Sequence, residues 1–280
     1  MRIMVTGATG MLGQDVMRAL TEQKHHCLGV STADFDLRDG EAVRQAVLAF
    51  RPEAIVHCAA YTAVDRAESE PEVCTAVNGL GTLNVARAAV AVGAKLLYVS
   101  TDYVFDGSGD APREAEDRPQ PLNVYGLSKL QGEEAVRGVT SRHFILRISW
   151  LFGHGGGSFV RTIRRLGQEK TEIRVVDDQI GSPTYAPDLA RLIARMIVTD
   201  RYGTYHAANE GFCSFAEFAR VILRADRSRC RVLPVTTAEY GSIARRPLNS
   251  RLSRRALDEN GFPRLPAWED ALHRFLTGEN

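Results

Sequence analysis

The 280-residue sequence predicts a doubly wound α/β protein: a parallel sheet covered by helices on both faces, with a smaller region appended on the C-terminal side. Three observations predict it. Over the first 150 residues, short apolar runs alternate with stretches of helical periodicity, the rhythm of strand–helix–strand crossovers. The apolar runs are nearly continuous rather than alternating, as strands buried on both faces require. A glycine-rich turn separates the first strand from the first helix.

Taken in order, "RIMVT" (2–6) reads as the first strand and "MLGQDVMRALTEQ" (11–23) as the helix after it. "HCLGV" (26–30), "EAIVHCA" (53–59), "KLLYVST" (95–101) and "RHFILRI" (142–148) read as further strands. "GEAVRQAVLAF" (40–50) and "VCTAVNGLGTLNVARAAVAVG" (73–93) carry apolar residues at helical spacing. After "SWLFG" (149–153) the rhythm loosens. A helix is expected over 158–169, and a strand over 172–179 is expected to return to the sheet. Helices follow over 186–198 and over 215–225, the latter with Ser214 as N-cap. A short strand over 230–236 and a closing helix over 267–277 complete the chain. Residues 151–280 are thus assigned mainly to the smaller region, and "GHGGG" (153–157) reads as a flexible loop.

Composition excludes several function classes. The apolar fraction of 44% and charged fraction of 25% are those of an ordinary globular protein. With 35 basic and 34 acidic residues, no global field draws the chain to nucleic acid or to a membrane. No stretch approaches the length of an apolar membrane span. The five cysteines, at 27, 58, 74, 213 and 230, include no Cys-x-x-Cys pair and read as reduced thiols. The sequence opens directly on a strand, with no charged leader and apolar run. A cytoplasmic location is the expectation.

"GATGMLG" (7–13) sets Gly7, Gly10 and Gly13 three apart, between the first strand and the first helix. Glycines there permit a tight turn and close approach of a pyrophosphate to the helix N-terminus, whose amides point at the anion. Residues 1–150 are therefore assigned to a dinucleotide-binding domain of Rossmann type. Such a domain predicts an acid near the ribose about 20 residues on. Here the end of the second strand reads "VSTADFDL", with Ser31 and Thr32 where a single acid would select NAD, and no Arg in the immediate turn for a 2′-phosphate. NADH and NADPH stay open. Ala59 and Ala60, after the third strand, suit a place where backbone and cofactor nearly touch.

"STDYVFDG" (100–107) ends the fourth strand, and "YGLSK" (125–129) lies on a following helix. Tyr125 and Lys129 are i and i+4, on one helical face. An ammonium about 4 Å from a phenol, at an effective dielectric near 20, contributes about 4 kcal/mol. That is enough to bring a phenol of pKa near 10 toward neutral-pH proton exchange. Thr101 would offer its hydroxyl to a carbonyl beside that phenol. With eight tyrosines and four lysines in the chain, the spacing alone decides little; the glycine turn and the Thr at a strand end give it meaning. Arg245 and Arg246 are either a grip for a diphosphate or an ordinary surface pair. His57 reads as a satisfied core histidine rather than a ligand.

These residues, with "AAYTAVDRAESEP" (59–71), "PLNVYGLSKLQGE" (121–133), "RISWLFG" (147–153), "DDQIGSPTYAPDLA" (177–190) and "RRPLNSRLS" (245–253), resemble the dTDP-4-dehydrorhamnose reductases. These are a family of extended short-chain dehydrogenases/reductases, and the resemblance runs the length of the chain. It implies hydride transfer from NADPH or NADH to C4 of a dTDP-4-keto-6-deoxy-L-sugar, giving dTDP-L-rhamnose for cell-envelope polysaccharide. It implies Tyr125 as proton donor, Lys129 as holder of the nicotinamide ribose, and Thr101, Asp102 and Trp150 at the sugar. Gly7, Gly10, Met11, Leu12 and Gly13 would line the pyrophosphate turn. Ser31, Asp36, Leu37, Ala59, Ala60, Tyr61 and Val99 would lie along the cofactor, with Tyr125 and Lys129.

Some members of that family hold magnesium through acids at a dimer interface. No full acidic set is legible here, so no metal ligand is assigned, and magnesium and a homodimer are left open. Nucleotide-sugar 4,6-dehydratases carry an Asp-Glu pair after the Thr; here Asp102 is followed by Tyr103, which disfavours elimination. The alternatives are a reductase or epimerase acting on another nucleotide sugar, and a non-catalytic NADP-binding regulatory subunit similar to that of methionine adenosyltransferase.

Overall fold

The computed structural model describes residues 1–278. Strands β1 (Arg2–Thr6), β2 (His26–Val30), β3 (Ala54–His57), β4 (Lys95–Thr101) and β5 (His143–Ile148) join a sixth strand, Gly203–His206, in one sheet. The spatial order is β2, β1, β3, β4, β5, then Gly203–His206, and every neighbouring pair is parallel. The order reverses at β1, which opens a crevice at the carboxyl ends of β1 and β3, where ligands of such sheets bind.

Helices α1 (Met11–Glu22), α2 (Gly40–Phe50), α3 (Val64–Ala67), α4 (Pro71–Thr75), α5 (Gly81–Ala91) and α6 (Val124–Val139) make the crossovers. Successive strand residues face opposite sides, so each strand feeds two cores. Ile3, Val5, Val56, Leu97 and Leu146 pack under α1 and a helix at Ala186–Met196. Met4, Ile55, Leu96, Tyr98 and Ile145 pack under α2, α5 and α6. A third core, with Phe152, Phe218, Trp268 and Phe275, supports the region after residue 150.

The expected return of residues 172–179 to the sheet is not what forms. Glu172–Val176 pairs in parallel with Arg231–Val235 in a separate two-stranded ribbon. Its exposed Glu172 and Arg174 alternate with buried Ile173 and Val175, a pattern for one wet face. The sixth strand comes instead from Gly203–His206, paired to β5. The chain thus rejoins the sheet layer between residues 186 and 206. The helix expected over 73–93 runs as α4, a π turn at Ala76–Leu80 and α5. Ser214 caps the helix Phe215–Ala225 through a reciprocal bond with Glu217, as its position implied.

The placement of α6 sets up the site. Asn123 caps it, its side chain accepting from Gly126 N at 2.8 Å. Two glycines let it approach the sheet closely: a Cβ at Gly126 would lie 2.1 Å from Tyr103 O, and one at Gly132 would lie 2.2 Å from the Tyr98 hydroxyl. Fully buried Glu133 then receives Arg147 of β5 through two 2.8 Å bonds, with Ser100 of β4 donating at 2.6 Å and Arg137 at 2.8 Å. Removing one member of such a pair strands a buried charge, whereas removing both does not. Glu133→Leu or Arg147→Leu alone should cost about 3–5 kcal/mol in denaturant unfolding, with the double variant less destabilised than either single. Additive costs would contradict the pairing.

Candidate active site

A cavity of about 870 Å³ runs along the carboxyl edge of the sheet. At one end lies the turn from β1 into α1. Gly7 has φ +67°, and a Cβ there would stand 2.7 Å from Ala59 N; a Cβ at Gly13 would stand 2.1 Å from Gly7 O. The turn is therefore closed down on itself and on the chain after β3, and only glycine fits at either point. Helix α1 starts at Gly10 with no side-chain cap and no acid in its first turn. Gly10, Met11, Leu12 and Gly13 line the cavity; the Gly10 amide donates to Gly7 O at 2.9 Å, and no side chain caps the amides that follow it. That arrangement fits a bound pyrophosphate, which such helix termini attract. Ala59, packed against that turn, and Ala60 also line the cavity.

At the outer end, Ser31 and Leu37 line the cavity, together with Thr32 and Phe35. Asp36 does not line it. Its carboxylate is exposed and gripped by Arg38, whose Nε donates to both oxygens at 2.9–3.0 Å and holds the acid below its usual range. Ser31 instead bonds Asp34 through its amide at 2.8 Å and its hydroxyl at 3.1 Å. Tyr61 also lies outside the lining. Its backbone N–H and C=O bond the Asn78 amide at 2.8 and 3.0 Å, and its hydroxyl turns away to Glu70 at 2.9 Å. Asn78 sits in the π turn, a common placement for a side chain with special work.

The chemical centre gathers Val99, Thr101, Asp102, Tyr125 and Lys129 on the same cavity. Lys129, 2% exposed, donates to Val99 O at 2.7 Å and lies 4.1 Å from the centre of the Tyr98 ring. Burial pushes it down to about 7, against the opposing pull of Glu133 one turn away. The Tyr125 phenol is raised, first by burial and then by Asp102, with the Thr101 hydroxyl acting the other way. The pairing was expected to lower this phenol; instead the phenol is raised, and Lys129 is not among the groups that shift it. Cys58, also in the wall, is pushed by burial up to about 12 and is an inert thiol. His57 is satisfied on both nitrogens, by Thr6 at 2.6 Å and Thr82 at 3.1 Å.

Asp102 is 3% exposed. Thr101 donates to its Oδ1 at 3.0 Å, while Oδ2 has no hydrogen-bond partner among the described residues. An unmet acceptor on a cavity wall suits a donor hydroxyl of a ligand. Tyr103, which follows Asp102 in place of a second carboxylate, sets its ring edge-on to Tyr125 at 5.8 Å and also lines the cavity. Arg246 lines it too, bonded to Asp65 at 2.7 and 3.0 Å, whereas Arg245 contributes only its carbonyl to Asn123. Trp150 holds φ +49°, a conformation that costs a bulky residue about 1–3 kcal/mol and so needs firm support. The "GHGGG" segment folds over the start of α1, bringing Gly156, Gly157, Ser158 and Phe159 to the wall. Nothing in a glycine-rich string announces that contact. Among the described residues no group of three or more His, Cys, Asp and Glu could hold a metal ion, and no helix is long and apolar enough to cross a membrane.

A doubly wound sheet that turns its glycine-rich loop and a Tyr-x-x-x-Lys helix toward one cavity marks the extended short-chain dehydrogenases/reductases. Residues 1–280 match the model of the RmlD substrate binding domain. The chain belongs to that family, the dTDP-4-dehydrorhamnose reductases. It is 39% identical to the spore coat polysaccharide biosynthesis protein SpsK of Bacillus subtilis, over 98% of this chain and 96% of that protein. It is 41% identical to the dTDP-4-dehydrorhamnose reductase of Streptomyces griseus, over 97% of this chain and 91% of that one. The crystal structure of the Bacillus anthracis dTDP-4-dehydrorhamnose reductase in complex with NADP superposes with a TM-score of 0.96 at 44% identity, covering 99% of each chain.

The buried Asp102 carboxyl gives a direct test of the site's electrostatics. Burial pushes it up to about 6, with the Ser250 and Thr101 hydroxyls opposing. The folded chain therefore keeps this proton to about 6, while the unfolded chain releases it near 3.8. Stability from this group is lost as pH rises between those values. Asp102→Asn should stabilise the protein near pH 7.5 by up to about 3 kcal/mol, a gain that vanishes below about pH 4. Thermal unfolding across that range checks it; a pH-independent difference would contradict it.

Proposed function

We propose that the protein is an NAD(P)H-dependent oxidoreductase that reduces the C4 ketone of dTDP-4-dehydro-6-deoxy-L-mannose (dTDP-4-dehydrorhamnose) to dTDP-L-rhamnose. The observation that carries this reading is the convergence of Thr101, Tyr125 and Lys129 with the uncapped start of α1 on one cavity, in a chain matched end to end by reductases of that name. The α1 turn and Lys129 would hold a nicotinamide cofactor, which would supply the hydride for the carbonyl carbon.

The residues of the chain handle the proton and the orientation. A raised phenol pKa keeps Tyr125 protonated at neutral pH, the form a ketone reduction needs. As negative charge develops on the substrate oxygen, the Tyr125 O–H donates to it and the proton crosses. Thr101, on turning its hydroxyl proton from Asp102 Oδ1 to the substrate, fixes that oxygen beside the phenol. The Asp102 carboxyl, with the Ser250 and Thr101 hydroxyls beside it, accepts from a neighbouring sugar hydroxyl, and Trp150 walls the sugar. Lys129 has spare N–H donors beyond the one on Val99 O for a ribose hydroxyl. The charge of a protonated Lys129 would then favour the later phenolate, easing reprotonation. Tyr103 stands where a dehydratase would carry its second carboxylate, and its ring packs on Tyr125, which supports plain reduction over elimination.

Tyr125→Phe removes the donor and keeps the ring. With dTDP-4-dehydrorhamnose and NADPH or NADH, it should lower kcat by about 10²–10⁴ while cofactor affinity stays within about twofold. Loss of reduced-nicotinamide absorbance is the assay. A variant as fast as wild type would refute the phenol's role. A wild-type protein that binds NADPH yet reduces no 4-keto sugar nucleotide would refute the enzyme and favour the regulatory role.

A further inference from the structure

Trp150 is held by residues that no motif in the sequence connects to it. Its backbone lies in the left-handed region at φ +49°, where a bulky side chain stays only if its surroundings fix it. Thr184 N donates to its carbonyl at 3.1 Å. On one side the indole meets the backbone of Gly181, where a Cβ would fall 2.8 Å from the ring. On the other side it stacks face to face on Phe215, with ring centroids 3.7 Å apart and planes 18° from parallel. Phe159 packs behind Phe215 at 4.9 Å.

The two supports belong to one small sheet. Ile180–Gly181 pairs with Cys213–Ser214 on one side and Asn249–Ser250 on the other. Phe215 follows directly as the first residue of its helix, fixed by the Ser214–Glu217 capping box at 2.7 and 3.0 Å. Ser250, on the third strand, lies beside Asp102. A single three-stranded unit thus carries Gly181 and leads into Phe215, the two neighbours of the indole, and reaches the Asp102 carboxyl through Ser250. Phe215 and Trp150 both line the cavity.

We infer that Phe215 is a positioning residue for the sugar nucleotide: its ring face sets the plane in which Trp150 is presented to the substrate, without contributing to cofactor binding or to proton transfer. The inference rests on the reductase reading above. Stacking between aromatic faces requires a ring, not merely volume. Phe215→Met keeps the bulk and loses the face, whereas Phe215→Tyr keeps both.

The experiment measures kcat and KM for dTDP-4-dehydrorhamnose, and KM for NADPH, in wild type and both variants. Phe215→Met should raise the sugar-nucleotide KM about tenfold, with kcat and the NADPH KM within about twofold, and Phe215→Tyr should restore the sugar-nucleotide KM to within about twofold of wild type. The unchanged NADPH KM reports an intact fold, so a merely structural role would not give this split. An unchanged sugar-nucleotide KM in Phe215→Met, equal losses for both ligands, or a failure of Phe215→Tyr to rescue overturns the inference alone. Absence of turnover in the wild type overturns the reductase reading, and this inference with it.

Discussion

The rest of the site depends on how closely α6 approaches the sheet. Gly126 and Gly132 remove the side chains that would hold the helix off, and a Cβ at either would sit little more than 2 Å from β4 or from the residues just beyond it. The Glu133–Arg147 pair then pins the helix to β5 from inside, with Ser100 of β4 completing the carboxylate's partners. Because Lys129 and Glu133 are one turn apart, the same approach presses the ammonium onto Val99 O and the Tyr98 ring. Tyr125, a turn earlier, reaches the cavity beside Thr101 and Asp102. A helix one ångström farther out would leave a buried ion pair stretched and the Tyr125 phenol away from Thr101 and Asp102, which ties fold stability to site geometry.

Burial at this distance changes the electrostatics in a consistent direction. Each ionisable group at the centre is pushed toward its neutral form: Lys129 down to about 7, Asp102 up to about 6, and Tyr125 up from the usual phenol range. Desolvation disfavours charge whatever its sign. For a reduction this is useful, since the proton donor must arrive protonated and charge develops only as the hydride moves. The uncapped first turn of α1 is the counterpart, a fixed positive end facing the same cavity.

Much of this was legible in the sequence, for identifiable reasons. The glycine turn and the first five strands are local patterns, and a continuous apolar run has few other uses. Gly203–His206 escaped because "GTYH" is short and polar, and only pairing with β5 makes it a strand. Residues 172–179 misled because "VV" near their middle imitates a buried strand, while the exposed Glu172 and Arg174 mark the wet face of a ribbon. The Tyr-x-x-x-Lys spacing conveys proximity but not desolvation, so the direction of the phenol shift was invisible. Side-chain direction was equally invisible: Leu37, Ala59 and Ala60 line the cavity, while Arg38 and Glu70 bond the side chains of their neighbours Asp36 and Tyr61. Phe215 carried no signal, because its partner lies 65 positions earlier in the chain and only the folded sheet brings the rings together.

The measurement that bears most directly on the central claim is the fate of the transferred hydrogen. Incubation of the protein with dTDP-4-dehydrorhamnose and nicotinamide cofactor deuterated at its transferable position, followed by proton NMR of the product, should give dTDP-L-rhamnose with deuterium at C4 and nowhere else. A product without deuterium at C4, a C4 epimer, or unchanged ketone would contradict the account.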